Sequence, residues 1–600
     1  MDKNFVTKEE MAEVHPMIPE VYEQLKQGRI SRREFLRTST LLGMSIGVAS
    51  IAAACGGGAA PAAEAPAAEE PAAEEPVAEA PAAEEPAAEE PAAEASADTG
   101  GIKRGGILRV GSAIPAVDHP ARFSWIFDAN EFRHVFEYLT ETDRDNVTHP
   151  YLLESWTANE DLTVWDLKLR EGIMWTNGDE LVADHIVFNF NEWLNPDVGS
   201  SILGLWEGFL TPDGIEVVDQ YTVRLNLDQP LLAVPENLFH YPAQIIHPSF
   251  DGDVTSGANA STGPYVLKEY VIGERVRIES RVANGDEGYW QMGADGKALP
   301  YLDAIEFVDL GEDSTAYVAA LLSGEIGNIY NPTVDAFLAL RDQDNVVVGS
   351  VGTSATVVMR FRVDLEPWTD VRVRNAVKKV QDRQRILDQA FFGEGLLGYD
   401  THASPVHPEW APMDLPEYDP EGARALLDEA GVDQLDFAVS VGTGWPDIVA
   451  YAETLKEDAK AAGINVELDT MPNSAYWDLW TETPVGITTW AHRPLAVMLL
   501  PLAYIADAEG NPVPWNESRW VDEEFSELLK QAQGTLDVEA RRALMVDIQR
   551  IQQERGSVGI AYFQNLWDAS NPAYVGVEAH PTGYNLWREV WYNPDLDPFA

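Results

Sequence analysis

The chain has one cysteine, Cys55, in 600 residues. No intrachain disulfide can form, so the fold rests on its hydrophobic core, and 45% hydrophobic residues give it material for one. Basic residues are also scarce: 41 Lys and Arg against 99 Asp and Glu, a formal charge of −58. Such a surface repels phosphate backbones and anionic lipid headgroups, which argues against nucleic acid as a partner. Arginine outnumbers lysine, which together with the acidity points to a saline habitat. Long apolar runs are missing too. The late run Leu495–Ala506 is broken by Pro501 and too short to span a bilayer. No Gly-x-x-x-x-Gly-Lys-Ser/Thr loop or His-Glu-x-x-His helix occurs, and the Gly-x-Ser-x-Gly match at Gly43-Met44-Ser45-Ile46-Gly47 lies in the uncharged N-terminal run, not at a strand-to-helix elbow, which argues against the commonest nucleotide, acyl-transfer and zinc chemistries. His402 and His407 share a Pro-rich loop with no third ligand nearby and read as structural, so neither a metal nor another cofactor is expected.

What is present begins at the N-terminus. Ser31-Arg32-Arg33-Glu34-Phe35-Leu36 is a twin-arginine pattern, with Arg32 and Arg33 at its centre, followed by an uncharged run from Thr38 to Ala54. The lone Cys55 closes that run, just before Gly56-Gly57-Gly58. The expectation is a signal peptide over 1–54 and lipid attachment at Cys55, which places the mature chain outside the cytoplasmic membrane, tethered to it. From Pro61 the sequence repeats as seven pentads of the Pro-Ala-Ala-Glu-Glu type. Proline at every fifth residue blocks a continuous helix, and like charges push the chain open, so 55–104 reads as a disordered spacer.

Beyond Gly105, strand and helix patterns alternate, the signature of α/β lobes. Val164–Arg170 puts Trp165, Leu167 and Leu169 on one face, a half-buried strand, and Tyr221–Leu227 does the same. Asp419-Pro420 opens a helix that Gly431 closes; Pro446–Ala462 is another, ended by Gly463 ahead of the strand Ile464–Leu468. Asp537 caps a helix over Val538–Arg555, with Leu544, Ile548 and Ile551 on one stripe.

Pro150–Trp156, Asp161–Gly172, Trp175–Phe188, Thr262-Gly263-Pro264-Tyr265, Tyr301–Phe307, Leu321–Ile326, Asp370–Ala376 and Tyr418-Asp419-Pro420-Glu421 follow one another in an order that resembles the family 5 extracellular solute-binding proteins of ABC importers, the oligopeptide, dipeptide and nickel binders. The resemblance implies an α/β two-lobe periplasmic-binding-protein clamshell of type II, with mixed sheets and an extra domain on the first lobe. By that pattern 105–150 and 262–360 belong to the first lobe, 151–261 is the extra domain, 361–571 is the second lobe, and 572–600 returns to the first. It implies a binding protein, not an enzyme. A small ligand, peptide-like or another organic solute, sits between the lobes and is delivered to permease subunits by a monomer on the outer face of the membrane. Two alternatives stay open: a receptor of the same fold that feeds a membrane sensor, and a secreted hydrolase with an unrecognised carboxylate pair.

The sequence departs from the peptide binders where they hold the ligand's amino group. Their tryptophan-aspartate stretch corresponds here to Thr489-Trp490-Ala491-His492-Arg493-Pro494, with the tryptophan kept and a cation in place of the acid. At Met359–Val363, Arg362 replaces the family's asparagine, and strand alternation sets Arg360 on the same face. Arginine beside an aromatic can grip a carboxylate or phosphate bidentately. The expected ligand residues are therefore Trp490, His492, Arg493, Arg362 and Arg360, with Trp175 at a domain edge. The competing expectation is that these arginines pair with native acids. Asp507 or Glu509 could take over an amine if the ligand is an ordinary peptide, and Tyr584 and His580 are further, weaker candidates.

Overall fold

The computed structural model describes residues 101–599, apart from 284, 287, 312 and 507–509. The twin-arginine segment, Cys55, the spacer to residue 100, and Asp507 and Glu509 lie outside the described residues. Ala97–Ala600 form one compact unit.

A long mixed sheet runs through this unit. Its strand order is Ile464–Met471, Leu435–Gly442, Val485–Trp490, Val347–Phe361, Tyr562–Ser570, Asn328–Ile329, Ile107–Gly111, Ala304–Val308, Arg275–Ser280 and Tyr265–Val271. The first three strands pair in parallel and form the second half of the sheet. Ile107–Gly111 pairs in parallel with both its neighbours in the first half.

Val347–Phe361 joins the halves by changing partners along its length. Val347–Gly352 pairs with Asn565–Ser570, and Thr356–Phe361 pairs with Val485–Trp490. The register breaks between Gly352 and Thr356, so Thr353, Ser354 and Ala355 occupy the crossing between the two halves. Thr353 Oγ1 ties the break to Gln564 O at 2.7 Å.

A separate antiparallel sheet runs Leu153–Ala158, Val164–Leu169, Thr222–Asn226, Ile215–Asp219. Trp165, Leu167 and Leu169 are all buried, so the alternation read from the sequence holds. The helix Ala183–Leu194 packs on this sheet and buries Ile186, Phe190, Trp193 and Leu194, an i, i+4, i+7, i+8 stripe.

The helix boundaries also follow their caps. Asp419 accepts from Gly422 N ahead of Pro420–Glu429, and Asp537 accepts from Ala540 N ahead of Val538–Arg555. Pro446–Ala459 tightens into a 3-10 turn over Lys460–Ala462 before Gly463, whose φ of +70° reverses the chain into Ile464–Met471. On the last helix Ile548 and Ile551 are buried and Leu544 is half-buried. In Thr262-Gly263-Pro264 the glycine is steric: a Cβ there would lie 2.4 Å from Val135 O. The largest hydrophobic core is continuous from the four-stranded sheet through Trp490 and the helix Ala496–Ala503 to Phe525 and Ile548. Among the described residues no helix is long and apolar enough to cross a membrane.

Candidate functional site

Trp490 ends the strand Val485–Trp490 where the halves of the sheet meet. Its indole is buried, with Nε1 donating to Glu517 Oε1 at 3.0 Å and its ring edge-on to His402 and Trp515. Glu517 is the acid that the sequence pattern did not reveal. Its other oxygen accepts from Thr488 Oγ1 and from Arg360 Nε, the latter at 3.1 Å. Burial pushes the Glu517 carboxyl up, against the pull of Arg360, Thr488 and Trp490.

Arg360 is fully buried, and its remaining donors go to the main-chain carbonyls of Thr483 and Trp480 and to Thr483 Oγ1. Arg362, likewise buried, makes a bidentate pair with Asp364 at 2.8 Å on both arms and donates to Thr481 O. The alternation that puts Arg360 and Arg362 on one face is correct. The expectation that either grips a ligand is not supported by their surroundings, because native acids and carbonyls already occupy both. Trp175 belongs to the core: it is 1% exposed and donates through Nε1 to His185 Nδ1 at 3.1 Å. Trp175→Ala should cost about 3–5 kcal/mol of stability, read from urea unfolding, while ligand affinity stays unchanged.

Arg493 is different. Its main chain is clamped at the crossing strand: its N–H donates to Ser354 Oγ at 2.9 Å, and its carbonyl accepts from the same hydroxyl at 2.8 Å. His407 Nε2 reaches that carbonyl as well, at 3.1 Å. The partly buried guanidinium makes one hydrogen bond, from Nη1 to the carbonyl of its neighbour His492, and has no carboxylate within 4.0 Å among the described residues. His492 Nδ1 accepts from Ser354 N at 3.1 Å, which leaves Nε2 buried without a partner. Burial holds that imidazole well below its ordinary range, helped by His407, Arg493 and His580, so it is neutral.

The groups facing Arg493 come from distant segments. Its charge acts on His240 and Tyr241, which follow the four-stranded sheet, and on Tyr584 near the C-terminus. Burial lowers the Arg493 guanidinium against Tyr241 and Tyr584. Tyr584 is 5% exposed, packs on Phe239 at 5.0 Å between ring centres, and lies beneath Arg133, whose guanidinium carbon is 4.1 Å from the ring centre. Arg133, His240 and Tyr241 carry no sequence signal of their own; only the chain's return to the first half hinted at Tyr584 and His580. The structural reading of the two loop histidines holds: His402 Nδ1 bonds the Tyr504 hydroxyl at 2.9 Å, and His407 Nδ1 accepts from Ser404 N.

Glu131, two residues before Arg133, is fully buried with neither oxygen partnered, and burial pushes its carboxyl up to about 8. The folded protein therefore holds this proton at a pH where the unfolded chain has released it, and stability falls as pH rises from about 4.5 to about 8. Glu131→Gln should remove a few kcal/mol of that fall, on the order of 1.4 kcal/mol per pH unit, in urea unfolding at pH 5 and pH 8.

The family model for bacterial extracellular solute-binding proteins, family 5 (middle part), matches residues 147–496. The dipeptide-binding protein DppE of Bacillus subtilis is 24% identical over 489 residues, covering 75% of this chain and 85% of that protein. Di/tripeptide-binding protein 2 of Pseudomonas aeruginosa is 27% identical over 497 residues, covering 74% and 86%. Among solved structures, HbpA2 from Haemophilus parasuis superposes with a TM-score of 0.72 at 21% identity, covering 81% of this chain and all of that one. The unliganded open form of MppA, a periplasmic murein tripeptide binding protein, gives 0.70 at 20% identity, covering 82% and 98%. The fold is thus the two-lobe clamshell of these proteins. The chain belongs to the bacterial extracellular solute-binding proteins of family 5.

Proposed function

We propose that this protein captures a small organic solute carrying an anionic group between its two lobes and delivers it to the permease of an ABC importer. The observation that carries the ligand reading is Arg493. Its main chain is fixed by Ser354 at the crossing, its guanidinium has no acidic partner among the described residues, and its charge acts on Tyr241 and Tyr584 from distant segments. It stands where the peptide binders place the acid that holds an amino group, so the recognised charge is reversed. Membership of the family and relatives named for dipeptides and tripeptides support capture and delivery rather than turnover.

In this reading the extra domain is 151–261, the second lobe is 361–571, and 572–600 returns to the first lobe. Closure is a hinge motion about the strands that join the lobes. The monomer works on the outer face of the cytoplasmic membrane, held by lipid on Cys55 and a spacer that could reach on the order of 140 Å when extended.

Native mass spectrometry of the full chain, isolated from its own cells, tests the capture. The expected spectrum shows one small acidic molecule per chain, released on unfolding. A chain that carries nothing and takes up nothing from its growth medium contradicts the proposal. Cys55→Ser should move the protein from the membrane pellet to the soluble fraction; a variant that still pellets refutes the lipid tether.

A further inference from the structure

A guanidinium taken out of water needs an anion or a full set of acceptors, and one left without them destabilises the fold. This chain has acids in excess, and its buried arginines use them: Arg281, Arg360, Arg362, Arg383 and Arg541 each have a carboxylate within 4.0 Å. Arg374, which has none, spends its donors on four main-chain carbonyls. Among the described residues Arg133 has neither solution, and Arg493, partly buried, has one carbonyl and no carboxylate. Arg133 is 5% exposed and donates from Nη2 to Ile126 O at 3.0 Å; the Tyr330 and Tyr138 hydroxyls and the Glu131 carboxyl are its polar neighbours, and Nε and Nη1 are buried with no partner at hydrogen-bond geometry among the described residues. Its flat face is covered by Tyr584, at 4.1 Å, so the unsatisfied groups are on its edge, where a carboxylate or phosphate would bind bidentately. Arg493 comes from the second lobe, Arg133 from the first, and both act on Tyr584.

Resting on the binding function proposed above, we propose that the cleft takes a ligand with two anionic groups, one held by Arg133 of the first lobe and the other by Arg493 of the second. The surroundings fit a dianion and oppose a cation. His492 leaves a buried Nε2 without a partner there among the described residues, a donor in the neutral tautomer whose Nδ1 accepts. The one carboxylate beside Trp490, Glu517, is engaged by Arg360, Thr488 and Trp490 itself. Glu131 feels the Arg133 charge, but burial outweighs that pull and holds its carboxyl up at about 8, so it is protonated at neutral pH and leaves the guanidinium uncompensated. A ligand that bridges the two arginines also ties the lobes together, which couples recognition of its second charge to closure.

The test is isothermal titration of the full chain with dicarboxylates from malonate to adipate, each against its monomethyl ester, with N-acetyl-glutamate as a larger dianion and triglycine and maltotriose as neutral probes. At least one dianion should bind 10-fold or more tighter than its matched monoanion. Arg133→Gln and Arg493→Gln should each erase that difference, Arg133→Lys should keep most of it, and all three variants should unfold at wild-type urea midpoints or higher. Equal binding of diacid and ester, or full affinity in Arg133→Gln, overturns the two-anion inference. Binding of triglycine or maltotriose alone overturns it while leaving solute capture intact. Failure of every probe, acidic and neutral, together with an empty native spectrum, sinks both.

Discussion

Glu517→Ala should lower the free energy of unfolding by about 3–5 kcal/mol. The reason is Arg360. With its partner removed, a fully buried guanidinium keeps its carbonyl contacts to Thr483 and Trp480 but loses the one carboxylate that pairs with it among the described residues. Trp490 and Thr488 lose their shared acceptor in the same step. Replacing both charges by apolar residues of similar volume, Arg360→Met with Glu517→Leu, should recover most of the loss, because the cost of one stranded charge then disappears. Urea unfolding of the single and double variants measures this directly. A Glu517→Ala variant within about 1 kcal/mol of wild type would show that the pair contributes little and that Arg360 is free for another role.

Arg493→Ala should separate binding from stability. Truncating one member of a desolvated charge pair between protein and ligand costs about 2–5 kcal/mol, so affinity for an acidic ligand should fall by roughly 30-fold to several thousand-fold. The fold should be unaffected or slightly more stable, since the side chain gives up a single hydrogen bond to a neighbouring carbonyl and no ion pair. Arg493→Lys should fall between the two, keeping the charge but losing the bidentate fork. Titration calorimetry of the three proteins with one acidic ligand reads the affinities.

The local elements were legible in the sequence because their causes are local. Alternation at Trp165, Leu167 and Leu169 and the caps at Asp419 and Asp537 act within a few residues, and the structure follows them. The site was legible only in part. Trp490 and Arg493 were singled out by their place in a segment resembling the family's, and the acidic composition correctly foretold that some cleft arginines would be paired. It could not say which. Arg360 finds Glu517 157 residues along the chain, and Arg362 finds Asp364 two residues away, while Arg493 finds none. Arg133 and Tyr584 meet across more than 400 residues, and no spacing rule links them. Trp175, conspicuous in a motif block, is conspicuous for packing.

In the proposed function a small acidic solute binds the cleft of the folded chain. Thermal unfolding against a panel of acidic, neutral and basic peptides, oligosaccharides, organic acids, amines and Ni²⁺ chelates tests it most directly. A ligand at 100 times its dissociation constant adds about 2.7 kcal/mol, a visible rise in Tm. The account predicts that rise for acidic compounds in the wild type and its loss in Arg493→Ala. A rise confined to amines or neutral sugars, or one that survives Arg493→Ala unchanged, would contradict it.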